Sequence, residues 1–470
     1  MKEVQLLKQT LRNIMANHHH PPDDIHRPQW HLSPLVGLMN DPNGFIQFHG
    51  KYHLFYQWNP LDCDHSTKLW GHWSSSNLVD WNNETVALLP CQSFDINGCF
   101  SGSAVNDNGQ LVLIYTGNVM LGKTEAERTA WQCIARQDSH GEFIKQPVIG
   151  QLAGYTGHIR DPKVWKHNNI WYMVLAAQDL QLQGKVLLLK SPNLEDWELL
   201  GEIAGSTVGD TPAFGYMWEC PDLFHLDGYD ILINCPQGVK AEARRYLNQY
   251  QCGYVLGQLD YATGNYSHQS FVELDYGHEF YAPQTTLTTD GRRLLVGWMG
   301  MPDQDEFSQP TLKFGWLHMM SAPRELSLKD GKLYQTPARE LQTLRQHHQH
   351  LTGCADTLNT LDVPSAELII QVNGNFQICI ANTLWLQCDT QGITLTRQSL
   401  SRDENEVRYW DGKVEQLQIL LDHSSVEIFI NQGLGVMTSR YFPKNTPQLI
   451  FSGDANLEVD YWQLNAMSLT

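Results

Sequence analysis

Read for its apolar and polar positions, the chain is a succession of short apolar-rich runs separated by Asn, Asp and Gly. It is not a set of helical stripes. Five segments share one plan, a polar or small residue near a strand start followed by two strand-like runs across a turn. The first is Asn40-Asp41-Pro42-Asn43-Gly44 and FIQFHGKYHLFYQ; the second is Phe100-Ser101-Gly102-Ser103-Ala104-Val105 and NDNGQLVLIYTG. Next come Arg160-Asp161-Pro162-Lys163-Val164 and WKHNNIWYMVLAA, then Glu219-Cys220-Pro221-Asp222-Leu223 and FHLDGYDILINC. The last is Phe280-Tyr281-Ala282-Pro283-Gln284 and TTLTTDGRRLLVGW. Their leading positions, 41, 101, 161, 219 and 281, recur about every sixty residues.

A β-rich unit repeated five times with no helical period between its strands predicts a propeller. Four-stranded blades would surround an axis lined by the first strand of each blade. The competing reading is an array of β-sandwiches with coincidental spacing. A second, shorter repeat pairs Ser76-Asn77-Leu78-Val79-Asp80-Trp81 with Ser191-Pro192-Asn193-Leu194-Glu195-Asp196-Trp197. Beyond residue 335 the pattern changes. A helix or linker is expected over 336–349, and alternating runs such as AELIIQVN, LQILLD and SVEIFIN predict an all-β sandwich over 350–470. The propeller is expected over 28–335. Residues 1–27 predict a short amphipathic helix stopped by Pro21 and Pro22.

Composition narrows the classes. A chain of 470 residues, 42% hydrophobic and 18% charged, is globular and long enough for two cores. A net charge of −19 would repel nucleic acid, so none is expected as a partner. An anionic substrate would need a local cationic pocket. Lys8, Gln9, Arg12 and Asn13 interrupt the apolar residues of the N-terminus, and no run approaches a membrane span. The expectation is a cytoplasmic protein with no membrane association. Ten cysteines without a CxxC pair predict reduced, mostly buried thiols and no metal site. His18, His19 and His20 are taken as a solvated helix end, and most of the fifteen tryptophans as core.

Three acidic residues start blade strands: Asp41, Asp161 and Glu219. Glycoside cleavage needs two carboxyl groups across the scissile bond. Taken singly, each has a plain structural reading: a turn for Asp41, an ion pair for Asp161 beside Arg160, a salt bridge for Glu219. Their shared phase in the repeat groups them. Trp218 and Cys220-Pro221 predict apolar surroundings for Glu219, the setting of a general acid.

The segments WHLSPLVGLMNDPNG, FYQWNP, WGHW, FSGSAV, RDPKV, ECPDLF, FYAPQT and SAPREL, in that order, resemble the motifs of glycoside hydrolase family 32. That family includes invertases, sucrose-6-phosphate hydrolases, inulinases and levanases. The resemblance runs from about Trp30 to the C-terminus. It implies a five-bladed β-propeller followed by a β-sandwich and a retaining hydrolysis of β-fructofuranosides that needs no cofactor. It also implies that Asp41 is the nucleophile, Glu219 the acid/base and Asp161 the transition-state stabiliser. Asn40, Asn43, Gln57, Phe100, Ser101, Arg160 and Tyr281 fall on positions that line the fructosyl subsite. Where many members carry a Trp facing the leaving group, this chain has His65, with Lys68 nearby. A cationic pair there is similar to the loop of sucrose-6-phosphate hydrolases and would suit a phosphate.

Other substrates stay open: free sucrose, raffinose or short fructans. So does a non-catalytic fructan-binding protein, which loss of a carboxylate would favour. The sandwich carries Trp385, Trp410 and Trp462, as packing residues or as a sugar platform. The segment His423-Ser424-Ser425-Val426-Glu427-Ile428-Phe429 also resembles the family without an evident chemical role. Monomer and homodimer are both open.

Overall fold

A computed structural model describes residues 2–17, 20–208, 214–358, 360–362, 365–445 and 447–470. His18 and His19 lie outside the described residues. Four of the five inner hairpins turn on two residues that both take positive φ: His49-Gly50, Asn108-Gly109, Asn168-Asn169 and Asp227-Gly228. That is the type I′ turn, whose twist matches the strands it joins. The fifth hairpin spans Thr288–Arg292 between Leu287 and Arg293.

Each hairpin opens a blade. Blade I is built on the inner strand Gly37–Phe48, blade II on Cys99–Asp107 and blade III on Tyr155–His167. Blade IV is built on Met217–Leu226 and blade V on Tyr281–Leu287. Each is an antiparallel sheet in which successive strands step outward. A short strand that follows the first hairpin of blade V, Trp316–Leu317, pairs in parallel with Gly37–Leu38 and ties the last blade to the first. The shorter repeat forms the same turn twice. In each copy an Asn side chain (Asn77, Asn193) caps the following N–H groups, a Leu takes positive φ, and the Trp indole donates to that Leu carbonyl.

Below the axial cavity the inner strands are cross-linked in a ring. Asn43 Oδ1 accepts from Gly102 N–H (3.1 Å), and Ser103 Oγ donates to the Pro162 carbonyl (2.8 Å). Lys163 pairs with Asp222 (2.8 Å), and Asp222 accepts from Thr285 N–H (2.7 Å). Thr289 N–H donates to Gln47 Oε1 (2.7 Å), closing the ring from blade V to blade I. Buried polar groups persist because each finds a partner.

The second unit is a sandwich of two six-stranded sheets. Its core alternates with period two: Leu368 and Ile370, Ile378 and Ile380, Ile393 and Leu395, Val426 and Ile428 all point inward. The span 336–349, expected to be a linker, contains a 3-10 helix, Arg339–Leu344, and the start of a sandwich strand, Arg345–Cys354. That strand is rich in His and Gln, so its apolar alternation is weak, and it pairs with Asn456–Leu464. Trp410 is buried in the sandwich core. The Trp462 ring is flanked by the His348 imidazole and the Arg345 guanidinium. The N-terminal helix runs Lys2–Asn17 and buries Leu11 against blade I.

Propeller and sandwich meet across a buried ionic seam. Arg324, from the SAPREL segment, donates to Glu427 (2.6 Å), Asp275 (3.1 Å) and Thr438 (2.7 Å). His31 bridges Asp422 (2.9 Å) and Glu427 (3.0 Å). Burial works against a charged His31, yet hydrogen bonds and charge from these two carboxylates outweigh it and raise its pKa. The HSSVEIF segment thus has a structural role, since its fifth residue, Glu427, sits in the seam. All ten cysteines are unpaired thiols, six buried and four half-buried. Among the described residues no helix is long and apolar enough to cross a membrane.

Replacing Arg324 with Met leaves Asp275 buried without its cation and Glu427 with His31 alone. The expected loss is about 3–5 kcal/mol in equilibrium unfolding at neutral pH. A loss under about 1 kcal/mol would show that the seam does not hold the two units.

Candidate active site

Each inner strand breaks its pairing register at the same phase in all five blades, and those of blades I and III break it a second time. The breaks fall between Met39 and Pro42, Phe100 and Gly102, Glu219 and Asp222, and Tyr281 and Gln284. In blade III the break lies between Arg160 and Lys163. Proline has no ladder donor and is tolerated at such bulges, and Pro42, Pro162, Pro221 and Pro283 occupy four of them. Asp161, Cys220 and Ala282 take φ of +64°, +50° and +47°, strain of the kind that functional sites retain. The bulges correct the expected phase. Asp41, Ser101, Asp161 and Cys220 are equivalent positions. Glu219 stands one residue earlier, where blade III has Arg160 and blade V has Tyr281.

The bulges aim these side chains into an axial cavity of about 350 Å³. Around Asp41 the hydrogen bonds form a directed ring. Lys68 is buried, and its ammonium donates to Asn40 Oδ1 (2.5 Å) and His65 Nδ1 (2.5 Å). An ammonium only donates, so Asn40 must present its carbonyl to Lys68. The Asn40 NH₂ then donates to Asp41 Oδ1 (3.1 Å) and Gln57 Oε1 (3.3 Å). Gln57 Nε2 donates to Ser101 Oγ (3.0 Å), and the Ser101 hydroxyl donates to Asp41 Oδ2. Burial raises the Asp41 pKa, as does the charge of Glu219; Ser101 and Lys68 oppose the shift without cancelling it. Burial lowers the Lys68 pKa to about 8 against the pull of Asp41 and Glu306.

Asp161 Oδ2 accepts from Cys220 N–H (3.0 Å). The Cys220 thiol sits between the two aspartates, 3.8 Å from Asp41 and 3.6 Å from Asp161. Burial and the Glu219 charge raise the Asp161 pKa, while Arg160 opposes them. Glu219 is not in the apolar setting expected for it. Neighbours on a strand face opposite ways, so Trp218 points into a blade core. The Glu219 carboxylate meets Arg160 (2.9 and 2.7 Å), Gln237 (2.7 Å) and the Tyr281 hydroxyl (2.7 Å).

Asn40, Gln57, Phe100, Ser101, Arg160 and Tyr281 line the cavity with the three carboxylates, His65 and Lys68. Asn43 does not; it is fully buried in the cross-linking ring behind Ser101. His65 donates through Nε2 to Glu306 (3.0 Å). Gln237, Trp298, Glu125, Arg128, His158 and Asp303 also line the cavity and were not among the sequence candidates. One signal was present: a glutamine closes the second strand in blade I (Gln57), blade III (Gln178) and blade IV (Gln237). Among the described residues no three His, Cys, Asp or Glu side chains are grouped to hold a metal.

Paired acidic groups at the axis of a five-bladed propeller, backed by a sandwich, define a glycosidase architecture. The chain belongs to glycosyl hydrolases family 32: the N-terminal domain model of that family matches residues 31–337 and the C-terminal model residues 340–463. The chain is 52% identical over 444 residues to a sucrose-6-phosphate hydrolase of Salmonella typhimurium, covering 94% of each chain. It is 42% identical over 455 residues to a sucrose-6-phosphate hydrolase of Bacillus subtilis, covering 94% of this chain and 95% of that one. The fold superposes on the sucrose-6-phosphate hydrolase of Lactobacillus gasseri with a TM-score of 0.87 at 31% identity, covering 97% and 96% of the two chains. A variant of the Bombyx mori family 32 β-fructofuranosidase in complex with sucrose gives a TM-score of 0.86 at 34% identity, covering 99% and 98%.

Lys68→Met removes a charge that lowers the Asp41 pKa and frees Asn40 to turn. Asp41 then protonates at higher pH, so the acid limb of kcat/KM on a fructoside moves upward and activity is lost sooner as pH falls. A pH–rate profile checks this; an acid limb that stays in place rejects the directing role of Lys68.

Proposed function

We propose that this protein hydrolyses the β-fructofuranosidic bond of sucrose 6-phosphate with retention, in the cytoplasm, releasing fructose and glucose 6-phosphate. The observation that carries this reading is a contrast within one cavity. Asp41 is met by neutral donors, the Asn40 amide on one oxygen and the Ser101 hydroxyl on the other, whereas Glu219 is met by the Arg160 guanidinium, Gln237 and the Tyr281 hydroxyl, which can both donate and accept. The names of the Salmonella and Bacillus relatives support the phosphorylated substrate. Free sucrose is the second reading, supported by likeness to the sucrose-bound Bombyx enzyme.

In the first step an Asp41 oxygen attacks the anomeric C2 of the fructosyl unit. The bond from C2 to the glucosyl oxygen breaks, and the electron pair leaves with that oxygen, which takes the Glu219 proton. A fructosyl–Asp41 ester results. Glu219, now a carboxylate, is stabilised by Arg160, Gln237 and Tyr281. It accepts a proton from water as the water oxygen attacks C2 and releases Asp41. The Tyr281 hydroxyl both donates and accepts, so it follows Glu219 through both protonation states. Asp161, fixed by Cys220 N–H, binds fructosyl hydroxyls and faces the oxocarbenium charge with its own. Asn40, Gln57, Phe100, Ser101 and Arg160 shape the fructosyl subsite. Residues 28–335 form the catalytic unit, which the sandwich supports.

Asp41→Ala is expected to lower kcat by roughly four orders of magnitude or more while the fold persists. Activity within about tenfold of wild type would refute the nucleophile assignment. Glu219→Gln should regain turnover on a fructoside with a good leaving group when azide is added, since azide needs no general base. No recovery under any azide concentration counts against the acid/base role. Wild-type kcat/KM for sucrose 6-phosphate and sucrose, measured side by side, decides between the two substrate readings.

A further inference from the structure

A chain of net charge −19 that binds a sugar phosphate must offer a cation at the phosphate. Five basic side chains line the cavity, and three are already committed. Lys68 is bonded to Asn40 and His65, His65 to Glu306, and Arg160 to Glu219. Arg128 remains as the cation, since its ion-pair partner is exposed, and beside it stands His158, which burial and the neighbouring arginines keep neutral with a pKa lowered to about 4.

They stand together at the cavity wall around one exposed carboxylate. Arg128 is anchored through Nη1 to the Asn118 side chain. Its other edge, Nε and Nη2, donates to Glu125 Oε2 at 2.9 and 2.7 Å. His158 accepts from Arg160 at Nδ1 (3.1 Å), which leaves its Nε2 as the outward donor, 3.8 Å from the same Glu125 oxygen. Glu125 comes from a single turn of 3-10 helix, Glu125–Glu127, and its side chain is 64% exposed. One oxyanion thus lies between a guanidinium edge and an imidazole N–H, a geometry that fits phosphate as well as carboxylate.

The position relative to Glu219 fits the leaving group. His158 and Arg160 are two residues apart on one strand and share a face. Arg160 holds the carboxyl that protonates the leaving oxygen. The Cα atoms of His158 and Arg160 are about 7 Å apart along the strand, and Arg160 Nη1 reaches His158 Nδ1, so the imidazole stands beyond the guanidinium that holds Glu219.

We propose that the 6-phosphate of the leaving glucosyl unit displaces the Glu125 carboxylate and is held by Arg128 and His158. Lys68 serves Asp41 instead. The inference rests on the sucrose 6-phosphate reading above.

The test is the ratio of kcat/KM for sucrose 6-phosphate to that for sucrose, measured on wild type, Arg128→Gln and Glu125→Gln. The inhibition constant of glucose 6-phosphate is measured on the same three proteins. Arg128→Gln should lower the ratio by about tenfold or more and weaken glucose 6-phosphate binding in parallel. Glu125→Gln, at an exposed position, should raise the ratio because the phosphate no longer competes with a fixed charge. A wild-type ratio that favours the phosphorylated sugar and is unchanged in Arg128→Gln overturns the site and leaves the substrate reading standing. A lowered ratio in Glu125→Gln overturns the displacement. A wild-type enzyme with no preference for the phosphate overturns the substrate reading and this inference with it.

Discussion

A buried ammonium with no lone pair to offer sets the direction of every hydrogen bond around Asp41. Lys68 donates, so Asn40 must accept from it and give its NH₂ to Asp41 and Gln57; Gln57 must then give to Ser101, and Ser101 to Asp41. The constraint exists because three carboxylates share one cavity, where burial and the charge of Glu219 push Asp41 and Asp161 toward the neutral form. Asp41 stays usable only while both its oxygens keep donors. Those donors come from two blades, and Glu219 draws on three more strands. A displacement of any blade would break the pattern, which is why the cross-links from Asn43 round to Gln47 lie directly beneath it.

The propeller is in turn tied to the sandwich by charges rather than by apolar contact alone. Arg324, Asp275, His31, Asp422 and Glu427 are all buried at the seam. A buried ion pair adds little net stability over an apolar one but heavily penalises any arrangement that separates its members. Such a seam therefore fixes the relation of the two units more than it adds to their stability. Gly277 shows how tight the fit is: a Cβ there would lie 2.0 Å from the Thr438 carbonyl oxygen across the seam.

Most of the propeller was legible because its turns and bulges are written in residue types that have few other uses. Asn-Gly and Asp-Gly pairs mark type I′ hairpins, and a Pro inside a strand marks a bulge. The motif residues Asp41, Ser101, Arg160, Asp161, Glu219 and Tyr281 lie at those bulges, so they were found together. What stayed hidden comes from elsewhere. Gln237 and Trp298 belong to second strands, Glu125 to a 3-10 turn, Arg128 to the start of the strand that follows it, and Asp303 to a loop, none of these last three marked by a local pattern. Asn43 was misplaced because it sits past the bulge, where the strand has already turned its side chain from the cavity. The first sandwich strand was missed because Arg345–Cys354 carries His and Gln at half of its positions.

The resulting cavity is polarised along its length. At the fructosyl end Asp41 and Asp161 face each other across the Cys220 thiol, and their combined charge favours a developing oxocarbenium ion. At the other end, in the proposed reading, the phosphate displaces Glu125 and meets the Arg128 guanidinium beside the neutral His158. Sucrose 6-phosphate has the matching asymmetry: a dianion on the glucosyl side and, in the transition state, a cation on the fructosyl side. A reversed substrate would bring its phosphate against the aspartates and be repelled. Orientation therefore does not depend on recognising each hydroxyl of the glucosyl ring. In the proposed reading, charge places the leaving group on the side where His65 stands bound to Glu306, and hydrogen bonds read the fructosyl unit.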